Sequence, residues 1–289
     1  MSGSKPVTVP DVRAAKGKTP LVMVTAYDAP TARIADDAGV DMILVGDSVA
    51  MVVLGYDDTL QVTIEDMAHH TAAVARTNPH ALVVGDLPWM SYHQHPHDAV
   101  ANAAKLIRAG AKCVKLEGGV KRVPVIEAIV DAEIPVMGHL GLTPQSINAL
   151  GGFKVQGRTA EAARMLIDDA KALVHAGVFA IVLECVPDDV ARIVTDAIDV
   201  PTIGIGAGNS CDGQVLVMHD LLGLEDRVTP KFVRRYASVK ADSVEAVKQY
   251  AADVRARAFP GPDEGYRMPG DAAEELGLYG GVPRASMSA

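Results

Sequence analysis

MILVGDS (42–48) is a short apolar run that ends in a polar turn. Up to Gly46 it is apolar on both alternating faces, the pattern of a strand buried on both sides, as in a parallel sheet. Seven more runs have the same form: LVMVTAYD (21–28), LVVGDLP (82–88), CVKLEGG (113–119), PVMGHLG (135–141), AIVLECV (180–186), PTIGIGAG (201–208) and QVLVMHD (214–220). Helical patterns lie between most of them, at 30–40, 63–77, 97–111 and 160–178. An Ala-Gly or Gly-Ala pair recurs just before the next strand, at 38–39, 109–111 and 176–177. That is helix C-cap chemistry repeated once per βα unit. Eight strands alternating with helices predict an α/β fold, a (β/α)8 TIM barrel. A doubly wound sheet is the competing arrangement, but no GxGxxG follows the first strand. The Gly-rich GIGAGN (204–209) follows the seventh strand and reads as a tight turn at the barrel mouth.

The rest of the chain is arranged around this unit. Two connections, 48–62 after the second strand and 141–159 after the fifth, are longer than a plain barrel needs. Long loops at the C-terminal ends of strands are where such barrels carry their active sites. Two more helical stretches, 220–236 and 243–257, are expected after the eighth strand. One barrel domain over residues 1–260, with an N-terminal lead and these extra C-terminal helices, is followed by a Gly/Pro-rich segment, 261–289, expected to be flexible.

Composition excludes several function classes. Lys+Arg is 27 and Asp+Glu 36, a formal net charge of −9, with no basic stripe to hold a nucleic acid. No apolar run approaches the roughly 20 residues that span a bilayer. The N-terminal MSGSKPVTVPDVRAAKGK has no apolar core of a secretory signal. Cys113, Cys185 and Cys211 are odd in number, widely spaced and form no CxxC. A reduced, cytoplasmic setting is therefore expected.

Polar residues that interrupt or end buried runs point to chemistry. Counting by twos, Asp47 shares a face with Val45 and Ile43, Asp86 with Val84 and Leu82, Lys115 with Glu117, and Glu184 with Val182. If those faces point inward, four carboxylates and one ammonium meet at the C-terminal rim, where uncompensated charge costs several kcal/mol per ion. A divalent cation offsets such a cluster. Asp47, Asp86 and Glu117 offer hard oxygens suited to Mg2+, and no Cys/His set has zinc spacing. The aspartates could equally cap the following helices. Lys115 suits a substrate carboxylate, a Schiff base or a plain ion pair with Glu117. Glu184 lies between Leu183 and Cys185, an apolar setting that suits a general base. His139 could polarise a carbonyl or be a hydrogen-bonded core residue. His69, His70, His93, His95 and His97 are read as surface residues rather than a metal site.

Ten short motifs in order, TAYD (25–28), LVGDS (44–48), DLP (86–88), KLEGG (115–119), GHLGLTPQS (138–146), GGFKVQGR (151–158), LECVP (183–187), IGIGAG (203–208), DGQ (212–214) and MHD (218–220), resemble the ketopantoate hydroxymethyltransferase family of phosphoenolpyruvate/pyruvate-type barrels. The resemblance runs from about residue 15 to about 260. It implies metal binding at Asp47, Asp86 and Glu117, substrate contacts at Ser48 and Lys115, with Asp47, Asp86 and His139 close to the substrate, and a proton acceptor at Glu184. It also implies transfer of a hydroxymethyl group from 5,10-methylenetetrahydrofolate to 3-methyl-2-oxobutanoate through a Mg2+-stabilised enolate, giving 2-dehydropantoate for pantothenate synthesis. The implied partners are a small 2-oxo acid, the folate and further copies of the chain in a homodecamer. The 141–159 loop is the candidate folate contact. The nearest rival is another Mg2+-dependent C–C lyase or mutase of the same barrel superfamily acting on a 2-oxo acid.

Overall fold

The computed structural model describes residues 5–225 and 229–278. All eight expected strands form, as β1 (Leu21–Thr25), β2 (Met42–Val45), β3 (Leu82–Asp86), β4 (Cys113–Glu117), β5 (Val136–Gly141), β6 (Ala180–Glu184), β7 (Thr202–Ile205) and β8 (Gly213–Leu216). Each pairs in parallel with the next, and β8 pairs with β1, so the sheet closes into a barrel. Helices α2 (Ala29–Asp37), α4 (Ile64–Ala75), α5 (Pro96–Ala109), α6 (Val123–Asp131), α8 (Ala160–His175) and α9 (Asp188–Ala197) return the chain between strands. The short α3 (Val49–Val52) and α7 (Ile147–Leu150) fall inside the two long connections. Local signals set these boundaries. Thr63 caps α4 by accepting from Asp66 N, and the Asp66 carboxylate accepts from Thr63 N in return. Gly110 ends α5 in the left-handed conformation that glycine adopts without a side-chain clash.

Strand alternation separates two apolar layers. Met23, Met42, Leu44, Leu82, Val84, Cys113, Met137, Val182, Ile203 and Val215 fill the barrel. Val24, Ile43, Val45, Val83, Val114, Leu116, Ile181 and Leu183 pack outward against the helices. The N-terminal lead is more than an arm. It forms α1 (Val9–Ala14), and Val12, fully buried, joins the cluster inside the barrel. The N-terminal end of the barrel is thus stoppered by apolar side chains, and the polar groups gather at the other end.

Three expectations need correction. Among the described residues, the helix expected over 220–236 is only α10 (Met218–Leu221). Gly223 follows at φ +67°, and Pro230 cannot continue a helical ladder. The compact barrel unit ends at Ala237 rather than near 260, and a second unit begins at Ser238. That unit contains α11 (Val239–Arg255), a 3-10 turn at Pro262–Glu264 and α12 (Gly270–Glu275). The segment after 260 is therefore locally folded as far as residue 278. The expected flexibility of 279–289 concerns residues outside those described.

Asp212 ties the lead to the barrel. Its carboxylate accepts from Lys16 Nζ (2.9 Å), Gly17 N (2.9 Å) and Thr202 N (2.9 Å). Burial pushes its pKa up, but these donors outweigh that and hold it below the ordinary carboxylate value. The folded state then binds fewer protons than the unfolded chain in acid, so this contribution is present at neutral pH and is lost as pH falls through the lowered value. Asp212→Asn should cost about 1–3 kcal/mol at pH 7. In urea titrations its gap from the parent chain should narrow as the pH falls toward 3.

Candidate active site

Register brings the site together. Asp86 on β3 pairs with Lys115 on β4, Glu117 with His139 on β5, and Gly141 with Glu184 on β6. These residues lie at the C-terminal ends of four neighbouring strands, and Asp86, Lys115, Glu117, His139 and Glu184 share the inward-facing parity. Asp47 arrives differently. Ile43 and Val45 face the helices, so alternation alone would have sent Asp47 outward. The strand stops at Val45 and the chain turns at Gly46–Asp47, which carries the carboxylate over the barrel end. Asp47 thus reaches the cluster through the turn and not through strand alternation.

The side chains form one contiguous chain of charge. Lys115 Nζ lies 2.9 Å from Asp86 Oδ1 and 3.4 Å from His139 Nδ1. His139 Nδ1 is 3.4 Å from Glu117 Oε1, and its Nε2 is 3.2 Å from Glu184 Oε2. Asp47 N donates to Asp86 Oδ2 at 3.1 Å. Asp47, Asp86, Lys115, Glu117 and His139 are all 5% exposed or less. Glu184 keeps 17% of its side chain exposed and faces His139, not the apolar pocket expected from Leu183 and Cys185. Gly141 makes this close approach possible. It sits at φ +92°, and a Cβ there would lie 2.2 Å from the Glu184 carbonyl oxygen.

Burial is the largest cause of the shifts in this group. It raises Asp47 to about 6, with Glu117 adding and Lys115 opposing. It raises Asp86 to about 7 against the pull of Lys115. For Lys115 burial acts downward, but Asp86, Glu117 and Asp47 outweigh it and hold the ammonium well above its ordinary value. His139 is pushed down by burial and by Lys115, yet Glu117 and Glu184 leave it raised to about 9. Lys115 and His139 are the two basic side chains that face the four carboxylates.

Asp86 Oδ1 and Glu117 Oε1 are buried without a hydrogen bond of good geometry, although a cationic side chain approaches each. Open hard oxygens and excess negative charge fit a divalent cation. Among the described residues, no three His, Cys, Asp or Glu side chains converge tightly enough to form a cage. A partial set of this kind suits Mg2+, which keeps waters and takes substrate oxygens.

Ser48 lies at the margin, and its Oγ is 2.8 Å from the buried Tyr27 hydroxyl. Three further residues that no spacing argument selected belong here: Tyr27, Tyr92 and Gln145. Gln145, 4% exposed, comes from the long connection after β5 and lies inside the GHLGLTPQS motif, the two signals that pointed to its segment. Of the histidines read as surface residues, His70 Nδ1 is 2.7 Å from the Tyr27 carbonyl oxygen. His93 Nδ1 accepts from Met90 N, and burial and Arg122 hold His93 down at about 4.

With this geometry in view, comparison with known proteins is decisive. Residues 6–262 match the family model described as ketopantoate hydroxymethyltransferase. The chain belongs to that family. It is 57% identical over 269 residues to the 3-methyl-2-oxobutanoate hydroxymethyltransferase of Oleidesulfovibrio alaskensis, covering 93% of each chain. It is 59% identical over 245 residues to the protein of the same name from Pyrobaculum arsenaticum, covering 85% of this chain and 92% of that one. Family membership makes it an enzyme of the hydroxymethyl-transferring class. Among solved structures, a phosphonopyruvate hydrolase complex with oxalate and Mg2+ superposes with a TM-score of 0.59 at 14% identity, covering 89% of this chain and 93% of that one. A 2,3-dimethylmalate lyase superposes at 0.58 and 18%, covering 93% and 94%. At such identities these two show the barrel fold alone.

Removing one partner of a buried ion pair leaves the other charge uncompensated, at about 3–5 kcal/mol. Lys115→Met should therefore lower the thermal midpoint more than the double variant Lys115→Met/Asp86→Asn, which removes both charges. Equal midpoints would mean that the pair is not coupled.

Proposed function

We propose that the enzyme, with one water consumed, transfers the one-carbon unit of 5,10-methylenetetrahydrofolate as a hydroxymethyl group to 3-methyl-2-oxobutanoate, giving 2-dehydropantoate and tetrahydrofolate. The observation that carries this reading is the continuous contact from Glu184 through His139 to Lys115 and Asp86, in a chain with these relatives. Asp47 and Asp86, with Glu117 beside them, would hold Mg2+, which supplies Lewis-acid polarisation of the 2-oxo group. Lys115 and Ser48 take the substrate carboxylate and fix its orientation. Glu184, the carboxylate nearest solvent, accepts the C3 proton. His139, fixed between Glu117 and Glu184, orients Glu184. The free cysteines support a reduced, cytoplasmic setting. No helix among the described residues is long and apolar enough to cross a membrane. Assembly as a homodecamer rests on the family resemblance.

The one-carbon donor must approach from the mouth. Loops leaving β2, β3 and β5 expose Leu54, Tyr56, Trp89, Met90, Phe153 and Val155, each at least 40% accessible. We assign these loops, which include part of the 141–159 connection, to the ring system of the folate.

Mg2+-dependent exchange of the C3 proton of 3-methyl-2-oxobutanoate, followed with deuterated substrate and no folate, tests the first half of the reaction. Glu184→Gln should abolish exchange and keep 2-oxo acid binding; full exchange in that variant would assign the base elsewhere. Trp89→Ala should raise the KM for the folate about fivefold, the loss of one aromatic contact. The KM for the 2-oxo acid should stay within about twofold.

A further inference from the structure

Gln145 touches both acidic ends of the site and has no chemical role of its own. Its Nε2 donates to Asp47 Oδ2 at 2.9 Å and to the Leu87 carbonyl oxygen at 3.0 Å. Its backbone N donates to Glu117 Oε2 at 3.0 Å. Its Oε1 accepts from the Tyr92 hydroxyl at 2.7 Å. The two ends of a carboxamide have nearly the same shape and differ only in whether they donate or accept, so the neighbours decide its orientation.

Here every neighbour has a fixed polarity. The Leu87 carbonyl and the ionised Asp47 carboxylate only accept. The backbone N–H of Glu117 only donates, and it points at the Tyr92 oxygen from 3.1 Å. That leaves the Tyr92 proton to be donated, and Gln145 Oε1 at 2.7 Å is a closer acceptor than the Glu117 carbonyl at 3.4 Å. Direction thus passes from the backbone of β4 to Tyr92, from Tyr92 to Gln145, and from Gln145 to Asp47.

The loop carrying Tyr92 is built to keep the phenol in place. Ser91 Oγ donates to the Pro88 carbonyl at 2.7 Å, and Asn102 Nδ2 donates to the Ser91 carbonyl at 2.7 Å. Met90 sits at φ +66°, a conformation that residues with a side chain adopt at a cost, and its N–H is taken by His93 Nδ1 at 3.2 Å. Such strain persists where the surroundings over-determine it. Tyr92 itself is fully buried.

We propose that Tyr92 and Gln145 are positioning residues. Together they commit Asp47 Oδ2 to a hydrogen bond, so that the carboxylate presents its Oδ1 to the divalent cation in a fixed orientation. This rests on the reading of Asp47 and Asp86 as cation-holding residues. Partners that orient metal ligands are worth about 10–100-fold in metal affinity.

Calorimetric titration with Mg2+ alone, on the full chain and without substrates, tests it. Tyr92→Phe should weaken Mg2+ binding five- to tenfold, and Gln145→Met should weaken it tenfold or more. In the Gln145→Met background, Tyr92→Phe should add no further loss, because it acts through the amide. A general packing role would give additive losses that follow the thermal midpoint. If Gln145→Met does not fold, Tyr92→Phe decides the matter alone by its affinity at an unchanged midpoint. Unchanged affinity in Tyr92→Phe, or additive losses in the pair, overturns the relay and leaves the cation site standing. A parent chain that takes up no Mg2+ overturns the reading of the site and this inference with it.

Discussion

Four carboxylates and two cations share one end of a closed barrel, and the rest of the site follows from that imbalance. Ionised groups taken out of water need partners close at hand. Lys115 and His139 meet part of the demand, and the carboxylates around them raise the pKa of each. What remains pushes Asp47 and Asp86 toward neutrality, to about 6 and about 7. A divalent cation, as in the proposed function, would offset the remaining negative charge.

The barrel concentrates that charge by its geometry. A closed parallel sheet sends alternate residues inward, and register sets which inward residues meet. Asp86 beside Lys115 and Glu117 beside His139 are consequences of pairing, not of loop conformation. At the opposite end Val12 joins the apolar cluster inside the barrel. Asp212 fastens the lead that carries Val12 and does so with donors of its own, separate from the active-site network.

Much of this is legible in the sequence because strands have a period of two. All eight strands form where the apolar runs place them, and counting by twos correctly turns Asp86, Lys115, Glu117 and Glu184 inward. The method works only while the strand lasts. Asp47 lies two residues beyond β2, where alternation no longer applies, so face counting puts it on the wrong side. Tyr92 and Gln145 lie in loops with no periodic reference at all, and their roles depend on contacts between segments 53 residues apart. Gly223 and Pro230 interrupt the stretch over 220–236. The six residues of α1 are too few to show a helical period.

The identity of those two loop residues also has a physical logic. A lysine or arginine could hold Asp47 Oδ2 more strongly than an amide. It would also cancel charge that the site uses to attract a cation, and it would pull the aspartate pKa back down. An aspartate or glutamate in place of Gln145 would set acceptor against acceptor at Leu87 and Asp47. A carboxamide directed by a phenol supplies direction with no net charge. If unbalanced carboxylates are to face a cation, as the proposed function has it, the groups that orient them are best neutral, and Gln145 and Tyr92 meet that condition while bridging Asp47, Leu87 and Glu117.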